Sequence, residues 1–275
     1  MSNVSQRYTY IIVGAGSAGC LLANRLSSQP ENRVLLIEAG SWSNSFWLKL
    51  PVGYYKTMND PSVSRHFATE PSKGSGGRAI NWPRGRVIGG SSSINGLIFI
   101  RGQHKNFDDW AELGNDGWSY RDVLPYFRKL ENFSGGNSQF HGQHGEFQVS
   151  KLRNHHPDCE AWLSAAQQYG LTLNQDFNAE TTEGVGEYHL SIGSRWRTSS
   201  ASAFLKPVES RKNLKIITNT LVTKIIFENK KAVGVEIISG EHRQIIHADA
   251  EVILSAGATN HHRYCNCRVS DQPSY

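Results

Sequence analysis

Gly14, Gly16 and Gly19 stand at G-x-G-x-x-G spacing in VGAGSAGC, and a carboxylate, Glu38, follows Gly19 by 19 residues. Each position suits one task in gripping a dinucleotide. The first glycine permits a tight turn, the second lets the backbone approach a pyrophosphate, and the third lets a helix pack closely on the strand before it. The phosphates would sit over free N–H groups at the positive end of a helix opened by Ser17. An acid about 20 residues on receives ribose hydroxyls, which favours an unphosphorylated adenosine ribose over NADP. The motif by itself leaves NAD and FAD both open.

A second group of small residues, Gly89, Gly90, Ser91, Ser92 and Ser93, lies between Val87 and Asn95 and is flanked by Arg84 and Arg86. Such a loop could lie flat on a ligand and offer it N–H and hydroxyl donors. Trp82, Ile94, Leu97, Ile98 and Phe99 give it an apolar setting. Buried hydroxyls there need partners, and a cofactor could supply them. The plainer reading is an ordinary surface turn.

These residues need a scaffold. Tyr8 to Val13 is short, apolar and β-branched, the pattern of a buried parallel strand. Leu21, Leu22, Arg25 and Leu26 follow at helical spacing, and Arg33 to Ile37 reads as a second buried strand ending at Glu38. Strand, helix, strand and terminal acid in that order confirm the glycine motif as a dinucleotide-binding one. Residues 106 to 133 predict two short helices about the turn GNDGWSY, with Trp110, Trp118, Tyr126 and Phe127 in the core. From Ser134 to Asn154 the composition turns to Gly, Ser, Asn, Gln and His, predicting a surface excursion. His141, His144, His155 and His156 are expected to be solvated there and not to hold a metal. DCEAWLSAAQQYGL predicts an amphipathic helix that could begin a substrate lobe. LKII, LVTKIIF, AVGVEII and QIIHA predict strands between polar turns, and AEVILSAGA a further strand that rejoins the nucleotide-binding sheet.

GRVIGGSSSINGLIFIRG closely resembles the first signature of the glucose–methanol–choline (GMC) oxidoreductases, a family of FAD-dependent alcohol dehydrogenases and oxidases. FATEPSKGSGGRAINWPRG before it, FDDWAELGNDGWSYRDVLPYFRKLENF after it, RWRTSSASAFLKPVESRKNLKIITNTLVTKIIF and DAEVILSAGA extend the resemblance over residues 8 to 260. The choline dehydrogenase and alcohol dehydrogenase branch is the most similar. The resemblance implies an α/β fold: a Rossmann-like FAD-binding domain with an antiparallel β excursion and part of a substrate lobe, toward which residues 134 to 195 reach, the whole being truncated. It implies oxidation of an alcohol, choline or another primary alcohol or polyol, to an aldehyde by hydride transfer to flavin N5, with an unknown electron acceptor. Val87, Asn95, Gly96, Leu97 and Ile98 match positions lining the isoalloxazine, with Gly90 and Ser91 in the same loop. Val222 matches a residue whose backbone meets the adenine. Where some relatives attach FAD through a histidine this chain has Ile94, which implies noncovalent flavin. The histidine that takes the alcohol proton lies beyond position 275 in relatives, so the resemblance assigns no catalytic residue here.

Composition fits this picture. Hydrophobic residues at 38% and 7 Trp allow a sizeable core. The net charge of +5 comes from scattered Lys and Arg, which suits a solvated surface or an anionic cofactor and not a nucleic-acid stripe. Cys20, Cys159, Cys265 and Cys267 form no paired C-x-x-C pattern, which favours a reducing, cytoplasmic setting. No signal-like stretch opens the chain and no transmembrane segment is expected, since no run approaches about 18 apolar residues. Peripheral contact with a membrane stays open.

The tail HHRYCNC breaks the pattern. His261, His262, Cys265 and Cys267 offer metal ligands, but with no second half and no evident scaffold. Relatives continue here as Ser-Pro-x-Leu-Leu-x-Leu-Ser-Gly-Ile-Gly. Read one base out of register, codons permitted for His261 to Gln272 can spell Ser-Pro-Leu-Leu-Gln-Leu-Ser-Gly-Ile-Gly-Pro-Ala. Residues 261 to 275 are therefore expected to be a frameshifted tail on the amino-terminal half of a longer enzyme. A catalytically inactive flavin-binding remnant, and a metal-binding protein acting through the tail, are the competing readings.

Overall fold

The computed structural model describes residues 7–136 and 138–266, without the side chains of 262, 263, 265 and 266. The chain divides into two compact units: unit 1 is Met1–Asn95 with Ser199–Tyr275, and unit 2 is Gly96–Thr198.

Unit 1 starts with strand β1 (Arg7–Val13), helix α1 (Ser17–Leu26) and strand β2 (Val34–Ile37). Ile11, Ile12 and all four residues of β2 are almost wholly buried. A parallel strand covered on both faces needs this, which is why these segments read as unbroken apolar runs. α1 turns Gly19, Cys20, Ala23 and Asn24 inward, small side chains that bring it close to the sheet. Burial pushes the Cys20 thiol up to about 12, and its Sγ donates to the Ala15 carbonyl at 3.2 Å. The antiparallel pair β3 (Ser64–Ala68) and β4 (Asn81–Gly85) then leads into a tight 3₁₀ turn at Gly90–Ser93.

Unit 2 holds β5 (Ile98–Phe99), α2 (His104–Glu112), α3 (Tyr120–Leu130), β6 (Glu131–Phe133), β7 (Phe147–Val149), α4 (Pro157–Gln168) and β8 (His189–Leu190). β5 pairs with β8 and β6 with β7. Both helices expected between 106 and 133 are present, but their aromatic residues are arranged differently. Trp110, Trp118 and Tyr126 are 46%, 51% and 72% exposed, Phe127 is half-buried, and Phe107 and Tyr120 are buried instead. Trp110 and Trp118 lie edge to face at 5.7 Å and shield each other at the helix–helix turn. Helical spacing says which residues share a face; packing decides which face turns inward. α4 likewise buries only Ala166 and leaves Trp162 exposed. The expected solvation of the loop histidines holds for His144, His155 and His156 and fails for His141. His141 is 2% exposed, because its ring is held between the carboxylates of Glu131 and Asp176.

The chain returns to unit 1 through a π-turn at Ala201–Leu205, where the Phe204 carbonyl accepts from Asn24 Nδ2 of α1 at 2.7 Å. β9 (Leu214–Ile217), β10 (Leu221–Glu228), β11 (Lys231–Ser239), β12 (His242–Leu254) and α5 (Ala258–Asn266) follow. They complete a six-stranded sheet of order β10-β11-β12-β1-β2-β9. β12, β1, β2 and β9 are mutually parallel, and β10, β11 and β12 form an antiparallel meander. QIIHA and AEVIL, read as two strands, are one. β12 pairs with β11 from His242 to His247 and with β1 from His247 to Leu254. Asp249, which lies between those two runs, stays at the surface and pairs with Arg7 at 2.7 Å.

The core of the sheet joins Tyr8, Ile11, Val13, Leu35, Ile37, Val222, Val235, Ile237 and Ile246. Among the described residues, no helix is long and apolar enough to cross a membrane. Cys267 and the rest of the tail, with the side chains of His262 and Cys265, lie outside the described residues.

Cys159 is exposed and Cys20 is buried against the sheet. At neutral pH iodoacetamide should label Cys159 readily and leave Cys20 unlabelled until denaturant is added. Peptide mass mapping reads this directly. Equal labelling of both in the native chain would mean that α1 does not pack as described.

Candidate functional site

Two of the three motif glycines are demanded by the protein itself. Gly14 has φ +99°, and a Cβ there would lie 2.5 Å from the Ser255 carbonyl oxygen. A Cβ on Gly19 would lie 1.9 Å from the Gly14 carbonyl oxygen, so α1 could not seat on the turn. Gly16 is different. Its φ of −79° suits any residue, and the nearest atom to a Cβ there is the Ser255 oxygen at 3.9 Å. The space left by its missing side chain is not filled by the protein, as the approach of an external group requires. Gly16 also precedes α1 without a side-chain cap. The first-turn N–H groups, which no helix can satisfy internally, therefore have no side-chain cap, and Ser17 beside them is exposed.

The second glycine loop folds directly against the first. Gly89, at φ +91°, donates its N–H to the Ala15 carbonyl at 2.7 Å. A Cβ on Gly90 would lie 2.8 Å from Gly16 Cα, and one on Gly85 would lie 2.2 Å from the Gly90 carbonyl carbon. Gly16 and Gly90 thus stand side by side. The serines of this loop do not need a cofactor for their partners. Ser92 Oγ donates to the Gly89 carbonyl at 2.6 Å and accepts the Ser200 N–H at 3.0 Å, and Ser93 Oγ donates to the Ile88 carbonyl at 3.0 Å. The chain's own backbone satisfies them, because the tight turn brings carbonyls within reach. Ser91 is exposed, and its Oγ accepts the Gly85 N–H at 3.1 Å. Val87 and Ile94 are buried together with Val63, while Asn95 is exposed.

Glu38 is 7% exposed and braces two turns. Its Oε2 accepts the Ala15 N–H at 2.9 Å and its Oε1 the Gly40 N–H at 2.8 Å. Burial pushes its carboxyl above the usual range, against those N–H groups, which act to lower it. Each oxygen keeps a second lone pair for a ribose hydroxyl. Ser255 Oγ, beside Gly14 and Gly19, is buried without a partner. Sequence reasoning missed it, since the small residues after AEVIL marked only the end of a strand. Val222 sits in the core of the sheet and its carbonyl accepts the Tyr264 hydroxyl at 2.8 Å.

Gly96, Leu97 and Ile98 belong to unit 2. Gly96 faces open space, Leu97 is buried at φ +72°, and Ile98 is 52% exposed in β5. The structure therefore brings Gly14, Gly16, Ser17, Gly19, Glu38, Gly90 and Ser91 together in unit 1 and places Val87 and Val222 in its core. An uncapped helix start, an uncovered Gly16, an orphaned buried hydroxyl and a carboxylate with lone pairs to spare suit an anionic dinucleotide.

The chain is similar to known proteins over most of its length. Residues 8–262 match the sequence profile of the GMC oxidoreductases. An oxygen-dependent choline dehydrogenase of Photobacterium profundum is 40% identical over 253 residues, which is 91% of this chain and 44% of that protein. The crystal structure of pyridoxine 4-oxidase from Mesorbium loti superposes with a TM-score of 0.87 at 33% identity, covering 91% of this chain and 50% of that one. An FAD-dependent oxidoreductase from Chaetomium thermophilum gives 0.83 at 31%, covering 91% and 45%. The chain spans about half the length of the curated relatives it matches.

The glycine contacts separate two substitutions. Gly19→Ala should cost about 3 kcal/mol of stability, since backbone must move to admit the methyl, whereas Gly16→Ala should cost under about 1 kcal/mol. Denaturant titration of both variants distinguishes them. Equal losses would show that the protein itself fills the space beside Gly16.

Proposed function

The chain belongs to the GMC oxidoreductase family, and from that membership we propose that it binds FAD noncovalently and forms the flavin-holding part of an enzyme oxidising an alcohol, choline or another primary alcohol or polyol, to an aldehyde. The observation that carries this reading is the meeting of the two glycine loops at the uncapped start of α1. FAD, when bound, supplies the hydride acceptor, the N5 of its isoalloxazine.

The residues of unit 1 supply the grip. First-turn N–H groups of α1 would meet the pyrophosphate, and Gly16 presents no Cβ to keep it away. Glu38, already fixed by Ala15 and Gly40, receives the adenosine ribose on its remaining lone pairs. A 2′-phosphate there would face a buried carboxylate, which argues against NADP. The Ser255 hydroxyl is available to donate to the cofactor. Ile94 is packed among Val63 and Val87 and carries no nucleophile, which supports a noncovalent flavin. Choline, named in a 40% identical relative, is a primary alcohol. Removal of the alcohol proton is assigned to no residue of this chain. We further propose that residues 261–275 are read out of frame, which sequencing the gene across codon 261 tests.

The purified chain should retain one equivalent of FAD through dialysis, with shifted flavin absorption bands, and should retain no NAD. Gly16→Val should lose FAD at least about tenfold in affinity with its circular dichroism unchanged. A folded wild-type chain that keeps no FAD would sink the proposal. Anaerobic addition of choline then separates the two forms of it. Bleaching of the flavin marks turnover by this chain, and retained FAD without bleaching marks a flavin-binding chain that does not itself oxidise choline.

A further inference from the structure

Unit 2 contains a buried polar cluster outside the site described in unit 1. His141, Asp176 and His189 each place one ligand-type atom within 4.8 Å of the others. His141 Nε2 lies 2.7 Å from Asp176 Oδ2, and His189 Nδ1 lies 3.7 Å from Asp176 Oδ1. The two histidines are 2% and 4% exposed.

The first two members are held as a metal site holds its ligands. His141 Nδ1 lies 2.9 Å from Glu131 Oε1, the carboxylate–imidazole contact that fixes the ring and directs Nε2 at a metal. Glu131 is itself anchored by Arg101 Nη2 at 2.7 Å and the Gly142 N–H at 3.0 Å. Asp176 Oδ1 accepts the Asn178 N–H at 2.9 Å. Phe133 packs on both imidazoles, at 4.2 Å from the His141 ring and 4.5 Å from the His189 ring.

An ion pair between His141 and Asp176 would explain those contacts. It would not explain His189, whose two ring nitrogens are both buried without a hydrogen-bond partner. Buried polar atoms are almost always satisfied, so an imidazole with neither nitrogen hydrogen-bonded points to a missing ligand. A cavity of about 290 Å³ lined by His155, Gln175, Glu187, Tyr188 and His189 gives a route to it.

We propose that His141, Asp176 and His189 bind one divalent transition-metal ion, with a fourth position open to water. Two imidazoles and one carboxylate with an open position suit Zn²⁺. Ligand atoms about 2.0 Å from a tetrahedral Zn²⁺ stand roughly 3.3 Å apart, so small side-chain shifts convert the observed spacings. The metal takes the place of the proton shared by His141 Nε2 and Asp176, and that proton leaves to solvent. This replaces the expectation, drawn from loop composition, that His141 holds no metal.

The tail's His and Cys residues could also take up metal, so the test uses the full chain, without added FAD, carrying Cys265→Ser and Cys267→Ser. That chain should retain close to one equivalent of Zn²⁺ after dialysis. Its Co²⁺ form should show the visible bands of a tetrahedral nitrogen–oxygen site without a thiolate charge-transfer band. Adding His189→Gln, or separately Asp176→Asn, should weaken retention at least tenfold with circular dichroism unchanged. Retention below about a tenth of an equivalent in the parent would overturn the proposal. So would retention that neither added substitution reduces.

Discussion

Unit 1 depends on main chain meeting main chain at the turn between β1 and α1. Three segments distant in sequence converge there: the turn itself, the residue that follows β12, and the loop around Gly85–Gly90. No side chain fits between them. Ala15 is the hub. Its N–H is taken by Glu38, and its carbonyl accepts from Gly89 and from Cys20. The glycines around it are therefore of two kinds. Gly14, Gly19, Gly85 and Gly90 are required for the protein to close on itself, and Gly16 leaves a face that the protein does not use.

Much of this architecture was legible because it rests on local patterns. Strands buried on both faces read as apolar runs, and the glycine spacing announces the turn before any contact is seen. Long-range partners were not legible. Nothing in Gly-Gly-Ser-Ser-Ser says that two hydroxyls bond back to Gly89 and Ile88. Nothing in QIIHADAEVIL says that Asp249 can stay at the surface beside Arg7 while the strand runs on. His141 carries no sequence mark that separates it from His144, three residues away. Its carboxylate partners come from positions 131 and 176, and only folding brings them together.

The two units are stabilised by different means. Unit 1 is built on a six-stranded sheet with an apolar core. Unit 2 has short two-stranded pairings and an interior laced by charge. Arg101 reaches Glu131 and the Phe140 carbonyl, and its backbone N–H is held by Asn178 Oδ1, so residues 101, 131, 140 and 178 are tied through one side chain and its neighbour. Buried charges of this kind are tolerable only when paired, and removing one partner strands the other.

β12 acts as a ruler. Its first half is measured against the meander at β11 and its second half against β1, with His247 common to both. Ser255 follows directly, and its carbonyl sits against Gly14. A slip of one residue in the antiparallel ladder would advance the strand by about 3.3 Å and turn every side chain to the opposite face. The position of the glycine turn is thus gauged from the far edge of the sheet, across a register shift between Tyr8 and Tyr10.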